Sequence, residues 1–446
     1  MIRKDLFKKY NISAPRYTTY PTIQYWTENP TTEEWIDSLN QTLEKNNSTL
    51  SIYIHIPFCE SLCTFCGCNT SISKNHSVEI PYIQALEKEL NLYLEKVPAL
   101  SSTELIELNL GGGTPTFFSD EHLEKLISLV LSKIKVSKIA EFSVEIDPRV
   151  TRMSQVEILF NTGFRKISIG VQDFDLEVQK IINRNQSFEV TKKLIEFSRE
   201  IGFNSINIDL IYGLPKQTVS SITKTIELVL QLKPNKITFY SYAHVSWIKD
   251  SQRLYTEKDL PNEDEKRKLN ETGRLLLENA GYHEIGMDNF VLQEDSLWKS
   301  FLNGKLHRNL MGFTSVRSDA VIGLGTSAIS ESLDCYHQNE KIEVKYRKLL
   351  SEGKIATLKG HKLSLSDIMH KELLVKLITT GEVEVPEVIL EDCKDYLHVI
   401  QSDDLIQWEK SKLKITEIGK PFLKIICTIF DEKLRKNLTN KRLFNL

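Results

Sequence analysis

Short apolar, β-branched segments alternate along this chain with longer segments of helical periodicity, and this alternation constrains the fold more than any other feature. The strand candidates are Ser51–Ile56, Leu105–Leu110, Glu141–Ile146, Lys166–Val171, Ser205–Ile211 and Lys236–Tyr240. The helix candidates are Ile80–Leu94, Asp120–Ile134, Ser154–Asn161, Phe188–Ile201, Val219–Leu232 and Glu263–Ala280. Near-continuously apolar strands between helices predict a parallel sheet covered by helices, either a closed or partly closed barrel or a doubly wound sheet.

The positions of the unusual residues favour the barrel over the doubly wound sheet. Each lies directly after a strand candidate or at its end, where the loops of a barrel build a site. They are the clustered cysteines after the first strand, Gly111–Thr114 after the second, Glu145 and Asp147 at the third, Gln172 after the fourth, Asp209 within the fifth and Tyr240–Ala243 at the sixth. The pattern therefore predicts an α/β fold with one site at the carboxyl ends of its strands.

Four cysteines lie close together in the sequence, at Cys59, Cys63, Cys66 and Cys68, whereas Cys335, Cys393 and Cys427 are scattered. A short loop with these spacings suits an iron–sulfur cluster held at three corners by Cys59, Cys63 and Cys66, with the fourth iron left open. A structural zinc site is the alternative, but zinc normally takes two cysteine pairs separated by a dozen or more residues, and the sequence has no second pair. The spacing therefore favours the cluster, and the scattered cysteines are typical of buried thiols.

Size and composition narrow the class of protein. A chain of 446 residues predicts one large domain with a smaller one added. Its 41% hydrophobic and 26% charged residues are ordinary globular values, and a net charge of −3 indicates no general affinity for nucleic acid. The sequence has no apolar run of membrane-spanning length, and Met1–Tyr10 lacks the apolar segment of a signal peptide. We therefore expect a cytoplasmic protein that binds neither nucleic acid nor membrane.

The motifs resemble a known enzyme family. The cysteine triad after the first strand is similar to that of the radical S-adenosylmethionine (SAM) enzymes. Further motifs narrow the resemblance to the oxygen-independent coproporphyrinogen III oxidases; they are Tyr10–Thr22, Tyr53–Cys59, Cys66–Asn69, Gly111–Thr116, Glu145–Arg149, Gly170–Phe174, Asn207–Lys216 and Leu306–Asn309. These matches extend from about Tyr10 to Ser330, which is most of the chain.

The resemblance implies a partial (βα)6-type TIM-like barrel of the radical SAM kind, with an N-terminal arm and a small, mainly helical C-terminal domain. We expect the arm at residues 1–35, the catalytic domain at 36–358 with its barrel core at about 47–280, and a winged-helix-like domain at 359–446. In that last domain, Leu365–Thr380 has helical periodicity and Leu405–Leu413 is typical of a hairpin. Gly323–Ser330 is typical of a tight glycine-rich loop that contributes to the site.

The resemblance also implies a [4Fe-4S] cluster on Cys59, Cys63 and Cys66, together with two SAM molecules. The positions that match contacts to the first SAM are Tyr53, Gly112, Glu145 and Ile329. Those that match contacts to the second are Phe65, Gly113, Thr114, Gln172, Arg184, Asp209 and Ala243. Cys68 matches an extra cysteine that the family retains without needing it as an iron ligand.

Several of these residues have a plainer interpretation. Three glycines after a strand are often a simple tight turn. Asp147 is expected to cap the following helix, and Arg184 is equally well explained as a solvated charge at a helix end. Asp209 is harder to explain in this way, because a buried carboxylate needs polar partners.

The implied activity is the anaerobic oxidative decarboxylation of two propionates of coproporphyrinogen III to vinyl groups, which gives protoporphyrinogen IX for heme synthesis. The radical derived from SAM takes a hydrogen atom from each propionate. A substrate with four propionates calls for guanidinium and imidazole donors, for which Arg16, His307, Arg308 and Arg317 are the candidates, while Tyr17 and Tyr20 are candidates for packing on the macrocycle. The implied partners are coproporphyrinogen III and an electron donor such as flavodoxin or ferredoxin, and we expect a monomer.

Three other functions compete with this one. Relatives within the family bind and deliver heme, but they generally lack the extra cysteine and the N-terminal arm, which this chain has. The chain has Asp288-Asn289-Phe290 where the family usually has Asp-His-Phe, and this departure leaves open a radical SAM enzyme that acts on another tetrapyrrole. A zinc-ribbon interaction module is the third alternative.

Overall fold

The computed structural model describes residues 4–10, 12, 14–437 and 443. The chain begins with helices α1 (Lys4–Lys9) and α2 (Thr32–Leu43). A capping box starts α2, because the Thr31 hydroxyl accepts a hydrogen bond from the Glu34 backbone N–H and the Glu34 carboxylate accepts one from the Thr31 N–H. Trp35 and Leu39 on this helix are fully buried against the barrel that follows.

Strands and helices then alternate as the sequence predicts. The strands are β1 (Thr49–Ile56), β2 (Phe58–Cys59), β3 (Ser71–Ile72), β4 (Glu104–Gly112), β5 (Lys135–Ile146), β6 (Lys166–Gln172), β7 (Ser205–Tyr212) and β8 (Lys236–Ser241). The helices are α3 (Glu79–Lys96), α4 (Asp120–Leu131), α5 (Met153–Asn161), α6 (Leu176–Ile181), α7 (Phe188–Ile201), α8 (Val219–Gln231) and α9 (Glu263–Asn279). All six predicted strands and six predicted helices are present, and α6 is an addition that the periodicity did not indicate.

Six strands of the main sheet form a parallel series in the order β1-β4-β5-β6-β7-β8, which is also their order along the chain. A doubly wound sheet reverses its strand order at a switch point, and this order has no such reversal. The arrangement is a partial barrel, because the sheet continues at both edges instead of closing on itself. The carboxyl ends of these strands consequently meet on one side of the molecule.

The next part of the chain extends this sheet at both edges. Its elements are β9 (His283–Gly286), β10 (Asn289–Val291), α10 (Ser296–Leu302), β11 (His307–Asn309), β12 (Gly312–Thr314), β13 (Ala320–Leu324), β14 (Ile329–Glu331), β15 (Cys335–Asn339), α11 (Glu343–Ser351) and β16 (Thr357–Lys362). Strand β13 pairs in parallel with β1, and β14, β15 and β16 continue antiparallel beyond it. At the other edge, β10 and β9 add antiparallel to β8.

This extension corrects one sequence-based interpretation. Gly323 and Leu324 belong to β13, so only residues 325–328 form the loop that was predicted for the whole of Gly323–Ser330. The physical reason is close packing between neighbouring strands. A Cβ atom at Gly323 would lie 2.4 Å from the carbonyl oxygen of Ile329. The glycine therefore serves a strand contact and not a turn.

The C-terminal part contains α12 (Leu365–Thr380), β17 (Glu382–Glu384), α13 (Glu387–Ser402), β18 (Ile406–Glu409), β19 (Lys412–Ile415), α14 (Leu423–Ile429) and α15 (Glu432–Asn437). The predicted helix at Leu365–Thr380 has these bounds, and the predicted hairpin is the antiparallel pair β18–β19. Strand β17 completes a small sheet in the order β17-β19-β18. Helices beside a three-stranded antiparallel sheet are the pattern of a winged-helix-like unit.

The two largest of four hydrophobic clusters in the described part of the chain hold these parts together. The larger one lies between the barrel strands and their helices. The smaller one joins the C-terminal helices to the arm, whose Leu6, Tyr10, Tyr17 and Tyr20 are buried in it. No helix in the described part of the chain is both long and apolar enough to span a membrane.

Candidate active site

The cysteine-bearing loop follows β1 and is closed by a short pair of strands. Cys59 lies in β2, which pairs in parallel with β3, and its carbonyl oxygen accepts a hydrogen bond from the Ser73 N–H at 3.0 Å. Inside the loop, the Thr64 N–H donates to the carbonyl of Ile182 at 3.0 Å. The loop is therefore fixed to the barrel at its base and at its middle, with Cys63 buried, Cys59 and Cys66 half-buried and Cys68 exposed.

Positive charge and hydrogen-bond donors surround the thiols. The Sγ atom of Cys63 lies 3.3 Å from Nη2 of Arg149 and 3.6 Å from Nη1 of Arg184. The Sγ atom of Cys59 lies 3.4 Å from the hydroxyl of Thr114. A hydrogen bond from Cys68 lowers the pKa of the Cys66 thiol, against the opposing effect of burial. Of the triad, Cys66 is thus the thiol whose surroundings favour the thiolate, which is the form that binds iron.

The donor set fits an iron–sulfur cluster better than a single metal ion. Among the residues that the structure describes, no three His, Cys, Asp or Glu side chains are grouped to hold one ion. The three cysteines nevertheless lie close together in one loop. Burial is the main cause of the raised pKa of the Cys59 thiol, and the nearby charges of Cys66 and Cys63 raise this pKa as well. Thiolates at the corners of a cuboid cluster stand farther apart than the ligands of one tetrahedral ion.

The glycine run after β4 lets two backbone segments approach each other. The Gly113 N–H donates to the carbonyl of Ile56 at 2.8 Å, and a Cβ atom at Gly113 would lie 2.6 Å from the carbonyl oxygen of Pro57. Gly112 has a φ of +113°, which favours glycine, and its N–H donates to the carboxylate of Glu145 at 3.2 Å. The run thus binds the end of β4 to the cysteine-bearing segment, and its contacts to SAM stay a prediction.

Glu145 and Asp147 follow each other at the end of β5 but have different surroundings. Water reaches the Glu145 carboxyl inside the barrel, but the surrounding protein and the charge of Asp209 raise its pKa. Asp147 accepts hydrogen bonds from Arg149 at 2.6 Å and from Arg184 at 3.1 Å, and despite its burial these guanidinium groups lower its pKa.

The expectation that Asp147 caps the next helix is wrong. Helix α5 begins only at Met153, and Arg152 occupies its N-cap position. Asp147 instead holds Arg149 and Arg184 beside the Cys63 thiol. The solvated interpretation of Arg184 is wrong as well, because this side chain is buried and donates to the carbonyl of Gly170 at 2.6 Å. Its Nε atom is buried without a hydrogen-bond partner.

The residues assigned to the second SAM are spread over neighbouring strands and loops. Gln172 ends β6 with a φ of +70°, and its side-chain oxygen accepts from the Tyr240 hydroxyl at 3.3 Å. Asp209 on β7 accepts from Ser168 at 3.1 Å and from Asn207 at 2.8 Å. The positive φ of Gln172 is a strained conformation of the kind that clusters at functional sites.

Gln252 connects Phe65 and Ala243, two further positions assigned to the second SAM, and the sequence did not indicate it. Its side-chain nitrogen donates to the carbonyl of Phe65 at 3.0 Å and to that of Ala243 at 3.4 Å. Gln252 is buried in the segment after β8, where no motif marked it. It ties the cysteine-bearing loop to the end of β8.

Tyr53 and Ile329, both assigned to the first SAM, lie on strands at the β1 edge of the parallel strands. Tyr53 is on β1, and its hydroxyl lies 3.2 Å from Nδ1 of His55. Ile329 begins β14, which pairs with β13 beside β1. The structure thus places both residues on the side of the sheet that carries the cysteine-bearing loop.

A cavity of about 380 Å³ lies inside the partial barrel, and we refer to it as the lumen. Its walls are mainly the inward-facing residues of five strands, at positions 107 and 109, 141, 143 and 145, 166 and 168, 205, 207 and 209, and 236, 238 and 240. Arg16, Asn289, Arg308 and the loop up to Thr314 cover it. Barrel interiors are usually packed with branched apolar side chains, so this polar lumen is suited to hold a ligand.

Polar residues in alternate strand positions were the missed signal for this lumen. In β7, for example, Ser205, Asn207 and Asp209 face the lumen, while Ile206 and Ile208 are buried on the other face. The description of these strands as near-continuously apolar was therefore wrong. A period of two was present in the sequence and indicates one apolar and one polar face.

The candidate substrate residues occupy three different places. Arg16 and Arg308 line the lumen. Tyr17 and Tyr20 are buried in the smaller core, where the Tyr17 hydroxyl donates to Asp431 at 3.1 Å and the Tyr20 hydroxyl accepts from the Glu432 N–H at 3.2 Å.

His307 and Arg317 are not among the residues that line the lumen. His307 is half-buried, and burial with the charge of Arg317 lowers its pKa to about 4, while Arg317 itself is exposed. Asn289, which replaces the family's usual histidine, lines the lumen and donates to the carbonyl of Met287 at 2.9 Å.

Comparison with known proteins identifies what this chain is similar to. Residues 53–229 match the Radical SAM superfamily. The oxygen-independent coproporphyrinogen III oxidase of Escherichia coli is 34% identical over 442 residues, which is 97% of this chain and 95% of that protein. The enzyme of the same name from Pseudomonas aeruginosa is 35% identical over 443 residues, or 96% of this chain and 95% of its own.

A solved structure gives the same result. The E. coli coproporphyrinogen III oxidase, described as a radical SAM enzyme, superposes with a TM-score of 0.89 at 33% sequence identity. The superposition covers 94% of this chain and 97% of that one. The similarity therefore includes the arm, the barrel and the C-terminal helices and is not confined to the cysteine-bearing barrel.

Proposed function

The chain belongs to the family of oxygen-independent coproporphyrinogen III oxidases, and from this premise we propose that it converts coproporphyrinogen III to protoporphyrinogen IX without oxygen. In each of two turnovers a propionate loses a hydrogen atom, CO₂ and one electron, and becomes a vinyl group. The observation that carries the proposal is the cysteine triad, which lies at the carboxyl ends of the strands that wall a polar lumen. The electron passes to a one-electron acceptor.

Cys59, Cys63 and Cys66 would hold the [4Fe-4S] cluster. When bound, the cluster and SAM supply a 5′-deoxyadenosyl radical that removes a hydrogen atom from the propionate β-carbon. Arg149 and Arg184 lie against the Cys63 sulfur and are themselves held by Asp147. These two guanidinium groups would offset part of the negative charge that three thiolates bring together.

The first SAM would contact Tyr53, Gly112, Glu145 and Ile329. Glu145 is the natural partner for the SAM ammonium group, because its carboxylate reaches no cation among the residues that the structure describes. Gly112 lets the end of β4 approach β1 closely, because a Cβ atom there would lie 2.8 Å from the His55 ring, and its N–H holds the Glu145 carboxylate in place. An ammonium group bound there would lower the raised pKa of Glu145 and keep it ionised.

The second SAM would contact Phe65, Gly113, Thr114, Gln172, Arg184, Asp209 and Ala243. The unpartnered Nε atom of Arg184 and the ordered carboxylate of Asp209 support this assignment, because they offer a donor and an acceptor. Gln252 would keep Phe65 and Ala243 in position.

The substrate and the remaining partners complete the proposal. Arg16 and Arg308 would bind propionates in the lumen, and His307 and Arg317 would do so at its margin. Tyr17 and Tyr20 would hold the arm in place and not pack on the macrocycle, since their rings are buried in the smaller core. We place the protein in the cytoplasm as a monomer, with flavodoxin or ferredoxin as electron donor, and divide it at residues 35 and 358.

The test is anaerobic. The cluster is reconstituted, SAM, a low-potential reductant and coproporphyrinogen III are added, and tetrapyrrole masses are followed beside 5′-deoxyadenosine. Two successive losses of a carboxyl group and a hydrogen, absent in Cys63→Ala, are expected. Deoxyadenosine with an unchanged tetrapyrrole would instead assign the protein to another substrate, and tight heme binding without either product would make it a heme carrier.

A further inference from the structure

The lumen contains a lysine that none of the family motifs includes. The strand register aligns Glu145, Ser168, Asn207 and Lys236 across β5, β6, β7 and β8. All four line the lumen. Lys236 therefore projects into the same cavity as the carboxylate assigned to SAM, three strands away from it.

The Lys236 ammonium group has no partner in the described part of the chain, where it forms neither a hydrogen bond nor an ion pair. Lys166, on the neighbouring wall, differs because it binds the Glu141 carboxylate at 2.6 Å. Burial lowers the pKa of Lys236, and the charges of Lys166 and Arg308 act in the same direction, while Asp209 and Asp295 oppose them. Lys236 is half-buried in the wall of the lumen, so an anionic ligand that enters the lumen can pair with its ammonium group.

A second cation in the lumen is also incompletely bonded. Arg308 is 7% exposed, and its Nη2 donates to the carbonyl of Arg16 at 3.2 Å, but its Nε is buried without a partner. Burial lowers its pKa to about 10. Neither Arg308 nor Arg16 forms an ion pair with any residue that the structure describes, and Arg16 lies over the ring of Tyr240 at 4.5 Å.

Apart from Glu145, which is assigned to the SAM ammonium group, the carboxylates of the lumen are bonded more completely than Lys236 and Arg308. Glu107 accepts from Ser51, Asn309 and Thr314. Asp209 accepts from Ser168 and Asn207. Lys236 and Arg308 therefore retain donors that an anionic ligand can use.

We propose that Lys236 and Arg308 together bind one propionate carboxylate of the substrate inside the lumen. The assignment rests on the proposed function and adds a substrate-binding residue to it. An ion pair stabilises a carboxylate as an anion and so opposes its loss as CO₂. The propionate held here is consequently one that does not react in that turnover, and its binding fixes the orientation of the macrocycle. The lumen volume of about 380 Å³ suits a propionate and its pyrrole ring.

The experiment measures the binding of coproporphyrinogen III to the reconstituted enzyme under anaerobic conditions, together with turnover. Lys236→Gln removes the charge at similar size and should weaken binding roughly ten- to a hundredfold, because a charge-assisted hydrogen bond is lost. Lys236→Arg keeps the charge and should restore binding to within about threefold. Lys359→Gln is the matched control, because Lys359 also has a pKa lowered by burial but donates to the carbonyl of Ile23 outside the lumen.

The tetramethyl ester of the same macrocycle carries no carboxylates and should bind wild type and Lys236→Gln equally. Unchanged binding of coproporphyrinogen III by Lys236→Gln, or equal weakening by Lys359→Gln, would overturn the assignment while leaving the decarboxylase intact. A wild-type protein that neither binds nor decarboxylates coproporphyrinogen III would instead remove the proposed function, and the assignment of Lys236 with it.

Discussion

The two faces of the parallel strands differ in what they contribute. Toward the helices, side chains such as Ile208, Ile237 and Phe239 are fully buried in the larger core. Toward the lumen, the residues between them are polar or charged, as with Asn207, Asp209 and Lys236 on β7 and β8. The outer face therefore supplies the stability, and the inner face is free to carry groups that a packed core would exclude.

The largest stability effect is expected on the outer face at Phe239. This ring is fully buried and lies 4.9 Å from the ring of Tyr212, so Phe239→Ala removes a large apolar contact and leaves a cavity. We expect a loss of about 3–5 kcal/mol in the free energy of unfolding. Urea unfolding of wild type, Phe239→Ala and the inner-face variant Thr238→Ala would measure it. Equal losses at the two neighbouring positions would contradict the division between the faces.

A buried carboxylate in the outer layer gives the next largest effect, through pH. Glu89 is fully buried, and burial raises its pKa to about 7 although Tyr346, Asn339 and the Gly325 N–H donate to it. Between about pH 4.5 and pH 7 the folded protein holds a proton that the unfolded chain releases, so stability falls as the pH rises through this window.

Glu89→Gln removes this titration. Wild type should lose up to roughly 3 kcal/mol more than the variant between pH 5 and pH 8. Urea unfolding at pH 5 and pH 8 measures the free energy of unfolding of both proteins. Other carboxyl groups with a raised pKa, such as Asp173, are present in both proteins, so their effect cancels when the two pH dependences are subtracted. Parallel pH profiles of the two proteins would show that Glu89 is not the group that titrates.

Gly273 tests how tightly the outer layer is packed. A Cβ atom at this position of α9 would lie 2.3 Å from the Phe239 ring, which is far inside contact distance. Gly273→Ala should therefore cost about 1–3 kcal/mol, partly offset by the better helix propensity of alanine. The double variant Gly273→Ala with Phe239→Leu should lose less than the sum of the single changes, because the smaller side chain frees the space. If thermal melting shows that the loss of stability in the double variant equals the sum of the two single losses, the contact between Gly273 and Phe239 does not limit the packing.

The same division explains what the sequence allowed us to predict. Strand and helix positions follow from local periodicity, and the cysteine triad from spacing within one loop, so both were predicted. The pairing of β13 with β1 joins residues such as Ala320 and Leu50, which are far apart in the chain and carry no local signal. The ion pairs of Asp147 with Arg149 and Arg184 depend on three-dimensional placement, which is why a helix cap was expected instead.

The polar lumen could have been predicted from the sequence but was not. Its signal is the alternation of polar and apolar residues in β5 to β8, and it was obscured because the apolar half of each strand dominates the average hydropathy. The unpaired state of Lys236 had no such signal. Whether a lysine has a carboxylate partner, here among the residues that the structure describes, depends on all the residues around it in space, and local periodicity does not predict this.

The smallest stability effect, with the largest effect on function, is expected on the inner face at Asn207. Its side-chain nitrogen donates to Asp209 and to Ser168 at 2.8 Å, so it positions the carboxylate assigned to the second SAM. Asn207→Ala should change the free energy of unfolding by about 1 kcal/mol, but lower the turnover roughly ten- to a hundredfold because Asp209 loses its orientation. Thermal melting and 5′-deoxyadenosine release on the same sample separate the two quantities. Ile208→Val, one residue away on the outer face, should cost a similar amount of stability, about 0.5–1.5 kcal/mol, but retain turnover. If both variants lost stability and turnover in proportion, the inner face would be part of the core, and its polar residues would act on catalysis only through the fold.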